Sequence, residues 1–313
     1  MADEGYEELP QFPGQGIPVP AGVTGTWLTP QQSVLSYLAS ARQWTRTPTL
    51  QAVAFKRDTV QLNDLTCRRI TQAPGAMQYR EYWADTVLVN GETAPNSSRR
   101  YGYTQSFVVR TVAFGSVPVE ATVALEQPRD SRGVVIPTTV RQADVRYCEG
   151  QGDFEVPPPY GAKRYPPAAG AGRMDVRIDR LKVDGVTLPV AGCAADGATL
   201  TLTSRDYQEW TIPADEIMDQ SIESIMRTKY YAVTGGGLLL GTLDVPAFAG
   251  CVTDDGEDIS ALLTASVSGE GNTVLIRTES LGEPNPDQFA VCPFVRTCPD
   301  RFSVPALPTA PPA

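Results

Sequence analysis

The chain has no histidine among its 313 residues, although it carries 12 Tyr, 9 Phe and 36 carboxylates. Histidine titrates nearest neutrality and is the commonest metal ligand, so its absence removes Ser-His and Cys-His nucleophile pairs and most zinc-site recipes. Lysine is scarce as well: Lys56, Lys163, Lys182 and Lys229 stand against 22 Arg. The net charge is −10, and the basic concentrations are doublets such as Arg68-Arg69 and Arg99-Arg100. Without a basic stripe to neutralise phosphates or anionic headgroups, neither a nucleic-acid partner nor membrane insertion is expected. Long apolar runs are missing too. The most apolar window, residues 238–252, is broken by Asp244 and Pro246 and is too short to span a bilayer.

Catalytic motifs are equally scarce. There is no G-x-S-x-G, no S-x-x-K and no C-x-x-C. Gly235-Gly236-Gly237 matches neither a dinucleotide fingerprint nor a phosphate loop and reads as a turn between strands. No cofactor is expected. A carboxylate pair flanking an aromatic groove needs no histidine, so a glycoside hydrolase or carbohydrate-binding module using Trp27, Trp44, Trp83 or Trp210 stays open as an alternative.

What is present points to β structure. Hydrophobic residues make up 42% of the chain and charged residues 20%, enough to build a core. The 27 Gly and 27 Pro, with abundant Val and Thr, favour short strands and turns. Residues 1–26 read as an extended N-terminal arm, because Pro10, Pro13, Pro18 and Pro20 alternate with glycines. Residues 27–155 read as a first β-rich domain and 174–299 as a second. Residues 156–173 form a Pro/Gly linker between them, and 300–313 a Pro-rich tail. The expected fold is mainly β: two sandwich or barrel-like domains with one or two short helices. One helix is predicted at 30–43, from the Thr29 cap, Pro30 and the spacing of Val34, Leu35, Leu38 and Ala41. Another is predicted at about 214–227. Asp184-Gly185 between two alternating runs predicts a hairpin.

Two features invite a site. Asp254, Asp255, Glu257 and Asp258 surround Gly256, and hard oxygen ligands on such a loop suit Ca²⁺; the competing reading is a helix N-terminus ahead of Ile259, Leu262 and Leu263. Six cysteines, Cys67, Cys148, Cys193, Cys251, Cys292 and Cys298, allow 15 full pairings. They are read as buried thiols or as disulfides of an oxidising environment. Residues 157–160 form a P-P-x-Y pattern and 308–311 read P-T-A-P, both at home in a linker and a tail; Asn96-Ser97-Ser98 is a sequon in a polar loop.

The run Leu243-Asp244-Val245-Pro246-Ala247-Phe248-Ala249-Gly250-Cys251, followed by residues 256–269, is similar to a segment of exported actinobacterial proteins of unassigned role. With the Asp184-Gly185 hairpin leading to Cys193, the resemblance covers about residues 180–280. It implies a β-rich extracytoplasmic module, with Cys251 bridged to a later cysteine such as Cys292, and it implies no activity. The acidic start, Met1 to Gly5, has no apolar core, so no signal peptide is expected.

Arms at both ends, turn-rich β structure and no catalytic constellation lead to one functional expectation. The chain is a non-enzymatic structural or interaction subunit of an extracellular assembly, a capsid-associated or tail protein of a phage whose host has a GC-rich genome. The alternative is a secreted or cell-surface β-sandwich protein. Partners would be other protein subunits, including copies of itself reached through the arms.

Overall fold

The computed structural model describes residues 26–28, 31–38, 43–62, 75–90, 97, 99, 101–113, 117–151, 163–205, 207–208, 231–233 and 236–278. The arm up to residue 25, the predicted helix at 214–227, the tail, the two Pro-rich motifs, Asn96, Cys67, Cys292 and Cys298 lie outside them.

Period-two alternation of apolar and polar residues dictates the strands. In the first half these are β1 (Thr26–Leu28), β2 (Gln31–Leu38), β3 (Gln43–Leu62), β4 (Ala76–Val89), β5 (Phe107–Ala113), β6 (Val117–Glu126) and β7 (Thr138–Tyr147). Then follow β8 (Lys163–Tyr165), β9 (Ala169–Val183), β10 (Val186–Leu188), β11 (Val190–Ala191), β12 (Ala194–Thr203) and β13 (Tyr207–Gln208). The chain continues with β14 (Tyr231–Ala232), β15 (Gly236–Val245), β16 (Val252–Thr253), helix α1 (Ser260–Val267) and β17 (Gly269–Thr278).

The strands form a curled antiparallel sheet, a half-barrel, and the mainly-β expectation holds. Pairing runs β7-β4-β3-β2-β17-β15-β12-β9, and β9 returns to β7 through Thr139↔Ala171, Val140↔Gly170 and Arg141↔Ala169. Closure stops there. Beyond Gly172 the edge of β9 belongs to β6, from Glu126↔Asp175 to Val119↔Val183, and β5 pairs outside β6. The wall is therefore closed at one end and splayed at the other.

The closing strand lies partly where composition reads as linker: residues 169–173, within the expected 156–173, are the first five of β9. Small residues there serve close approach. A Cβ on Gly170 would meet Val140 Cγ2 at 3.0 Å, and one on Gly172 would run into the Thr138 side chain. Strands on both sides of the 156–173 segment share one sheet and one core that includes Val53, Val140, Ile178, Leu202, Leu239 and Ile276.

Within the helix predicted at 30–43, Gln31–Leu38 is instead β2 and Gln43 starts β3, a correction with a clear cause. β2 pairs with β3 from Gln31↔Leu50 to Leu38↔Gln43 and with β17 from Gln32↔Thr278 to Tyr37↔Thr273. Backbone bonds to two neighbours outweigh a local capping signal, because an isolated helix of this length is marginal in water. The Asp184-Gly185 hairpin is present: Val183 pairs with Val186 across a turn with φ of 47° and 81°. Both positive values fit a type I′ turn, which Asp-Gly favours.

Candidate functional site

The inward face changes character along the strands. On β4, Leu88, Thr86 and Ala84 face the splayed end, and Tyr82, Arg80 and Gln78 follow toward the closed end. On β7, Thr138 and Val140 give way to Gln142 and Asp144. Apolar side chains therefore line the splayed half and polar ones the closed half.

The splayed half encloses a cavity of about 170 Å³. Its walls come from β2, β3, β4, β5, β6, β7, β9, β12, β14, β15 and β17, with Phe248 and α1. Among the described residues no charged side chain lines it. Leu263 of α1 is buried against the core, and α1 is tied down at two points: the Phe248 N–H donates to Thr264 Oγ1 at 2.9 Å and the Cys251 N–H to Ser260 Oγ at 3.1 Å.

Two buried glutamines hold the rim. Gln142 continues the β7 seam where pairing with β9 ends: its Nε2 donates to Tyr231 O at 2.8 Å and Pro166 O at 3.2 Å, and its Oε1 accepts from the Val233 N–H at 2.9 Å. Gln127 accepts from the Leu88 N–H at 2.7 Å and donates to Thr86 O at 3.0 Å, fixing the connection from β6 to β4. Tyr231 packs in the core and lines the cavity. Burial pushes its phenol far above the ordinary tyrosine value, so it stays a neutral O–H at any physiological pH.

Outside the wall lies a charged network. The Tyr103 hydroxyl donates to Glu126 at 2.5 Å, and Arg177 Nε donates to Glu126 at 2.8 Å. Arg177 also pairs with Asp175 at 3.5 Å and Asp196 at 3.7 Å. The guanidiniums of Arg99 and Arg129 stand 5.8 and 6.0 Å from the Tyr103 ring centre. Partial burial pulls Arg177 down, but the Glu126 hydrogen bond and the surrounding carboxylates outweigh it and hold the group above its ordinary value. Burial, reinforced by the Glu126 hydrogen bond, raises Tyr103. Every charge here has a partner, so the network fastens β6, β9 and the loop before β5 together.

The predicted site residues fall elsewhere. Asp254 and Asp255 sit in a tight turn closed by the Gly256 N–H to Thr253 O bond at 2.9 Å, and all four carboxylates of the cluster are exposed. They do not converge: among the described residues, no group of three Asp, Glu, His or Cys is placed to hold a metal. Nor do they form the first turn of α1, which starts at Ser260 with no acid in that turn. Asp258 instead accepts the Ser260 N–H at 2.9 Å, and the Ser260 hydrogen bonds hold its carboxyl below the ordinary value.

Cys251 does not bridge to Cys292. It is bonded to Cys193, 58 residues earlier, with Cα atoms 4.1 Å apart. The reason is register: Ala194↔Ala249 form a bridge and β11 pairs with β16, which brings the two cysteines side by side. Cys148 is also disulfide-bonded, and among the described residues no cysteine is free. Paired cysteines point to an oxidising, non-cytoplasmic environment. No helix among the described residues is long and apolar enough to cross a membrane.

The cavity and its glutamine rim carried no motif in the sequence, because their residues come from a dozen separated segments. The alternating rows of β9 and β12, apolar at Val176, Ile178, Leu200 and Leu202, were the available signal. No family model, curated protein or solved structure matches the chain.

Proposed function

We propose that this protein is a non-enzymatic structural subunit of an extracellular assembly, such as a virion, and that copies join through β5. The observation that carries the reading is the character of that strand. Among the described residues β5 ends the sheet and pairs with β6 alone, and its outward row is Val108, Arg110 and Val112. Val108 and Val112 are 46% and 52% exposed. Edge strands are usually blunted by charge, proline or a bulge, because a bare row of N–H and C=O groups templates pairing. Here the one charge, Arg110, is bonded to Glu120 of β6 at 2.9 Å.

A second copy fits that edge. Set antiparallel with Arg110 against Val112, two β5 strands keep outward side chains opposite outward ones and place no Arg against an Arg. The ribbon is charge-balanced, so it avoids the repulsion that a net charge of −10 imposes elsewhere between copies. That no charged side chain among the described residues lines the cavity favours a binding or building role over hydrolysis by a carboxylate pair. The outward row of β9, Arg173, Asp175, Arg177 and Asp179, opposes buried Met174, Val176 and Ile178, the reverse of a lipid-facing barrel. The test is Thr111→Pro, which removes a strand N–H, beside Val112→Lys, which charges the outer face. Both are expected to abolish cross-linking between copies while leaving the far-ultraviolet β spectrum intact. Cross-linking that survives both variants refutes the edge.

A further inference from the structure

We propose that the polar, closed end of the wall binds a compact dianionic oxyanion of the phosphate type, held by Arg80 of β4 and Arg146 of β7. Three observations lead there.

The first is register. Gln78, Arg80 and Tyr82 alternate along β4, and β7 sets Arg146, Asp144 and Gln142 opposite them. Residues paired across a ladder share a face, so Arg80 and Arg146 project from one side as diagonal neighbours, about 7–8 Å apart. The intervening Tyr79, Ala143 and Val145 pack together on the other face. The second is that both arginines are incomplete. The Nε–H groups of Arg80 and Arg146 are buried, and neither makes a hydrogen bond. A buried donor without a partner is costly, the more so on a charged group. Asp144 stands directly opposite Arg80, yet no ion pair among the described residues joins the two; Asp144 accepts from the Tyr82 hydroxyl at 3.4 Å. Arg177, outside the wall, is the contrast: its Nε is fully engaged by Glu126 at 2.8 Å.

The third is charge. On this face β4 and β7 supply two guanidiniums against one carboxylate, and the register partner of Arg146 on β8 is a further cation, Lys163. In a chain of net charge −10 that is a local excess of positive charge. A guanidinium fork binds an oxyanion through two parallel N–H···O bonds. Two forks from neighbouring strands require acceptor oxygens in more than one plane. A tetrahedral oxyanion has them, whereas a carboxylate has two oxygens in a single plane. The buried Gln78, opposite Arg146, carries an amide that adds neutral donors to the same face.

The test uses the full, disulfide-bonded chain at about pH 8, where inorganic phosphate and phenyl phosphate are both mainly dianions. Calorimetric titration is expected to show a phosphate probe binding about tenfold or more tightly than acetate, the single-plane control. Binding of inorganic phosphate identifies a free ion, and binding of phenyl phosphate alone identifies an ester on a larger molecule; either upholds the oxyanion. Arg80→Gln and Arg146→Gln should each weaken binding about tenfold, the factor one charged hydrogen bond supplies. Asp144→Asn, which removes a negative charge beside the site, should tighten phenyl phosphate, a dianion with no proton to give that carboxylate. A melting profile of the ligand-free variants reports that each folds. On the native chain, where no variant is needed, the Nε–H resonances of Arg80 and Arg146 should shift together as the probe is added. Failure of both phosphate probes to bind overturns the site, as does acetate binding equally well. Binding that survives both arginine variants, or resonance shifts confined to other arginines, overturns the assignment to Arg80 and Arg146. Neither result bears on pairing at β5, which is read separately by cross-linking.

Discussion

Replacing Gln142 by leucine should open the seam of the half-barrel. The two side chains are similar in size, so the change removes hydrogen bonds with little change in volume. Three are lost, to Pro166 O, to Tyr231 O and from the Val233 N–H, at a residue that is 5% exposed. A net protein hydrogen bond is worth ~1 kcal/mol, and a buried backbone group left without a partner costs about 1–3 kcal/mol. Tyr231 O and the Val233 N–H are the groups stranded here, so the expected loss is about 2–4 kcal/mol. Urea unfolding measures it as a lower midpoint with an unchanged slope. Native-state hydrogen exchange locates it: the Val233 amide should lose protection, while Leu202 and Ile276, deep in paired strands, should keep theirs until global unfolding. A loss under about 0.5 kcal/mol with Val233 still protected would refute the claim that a side chain completes the wall where β7 leaves β9.

Other expectations follow from the same geometry. Removing the Cys193–Cys251 bond with alanine at both positions frees a loop with a sequence separation of 58, worth about 4 kcal/mol of unfolded-chain entropy; urea midpoints check this, and alkylation of Cys193 or Cys251 in the unreduced native chain, located by peptide mapping, would contradict the bond itself. Asp130 is held below its ordinary value first by the hydrogen bond from Arg132 and then by the Val134 N–H. Its folded value is depressed, so the order it lends the 130–134 turn is complete above the ordinary carboxylate value of ~4 and is lost as pH falls through the depressed one. Carboxyl carbon resonances should show Asp130 titrating late on acidification, and titration at or above the ordinary value would contradict the assignment.

How much of this was legible depends on the range of the interaction. Asp184-Gly185 carries its turn in two residues, so the β9-β10 hairpin could be read directly. The alternation in β6, β9 and β12 likewise reports one buried and one exposed face wherever it occurs. β2 carries a helix signal because Thr29 and Pro30 act locally, while the strand's second partner, β17, lies some 240 residues away. The Ala169–Gly172 run resembles a linker because small residues in a loop and small residues at a tight strand crossing have the same composition; Val140 and Thr138, which require them, are about 30 residues earlier. Cys193 and Cys251 meet through the pairing of β11 with β16, a register no spacing rule contains. The acidic cluster is the opposite case. Its residues are neighbours in sequence, but the turn at Thr253–Gly256 directs them to solvent rather than to a common point.

The proposed assembly stands or falls on copies pairing through β5. Light scattering on the eluting full chain, with disulfides intact, measures this directly. Pairing through β5 predicts a mass that is an even multiple of the 33.7 kDa protomer and that falls to one protomer for Thr111→Pro. A single 33.7 kDa species at the highest soluble concentration, the same for the native chain and the variant, would contradict it.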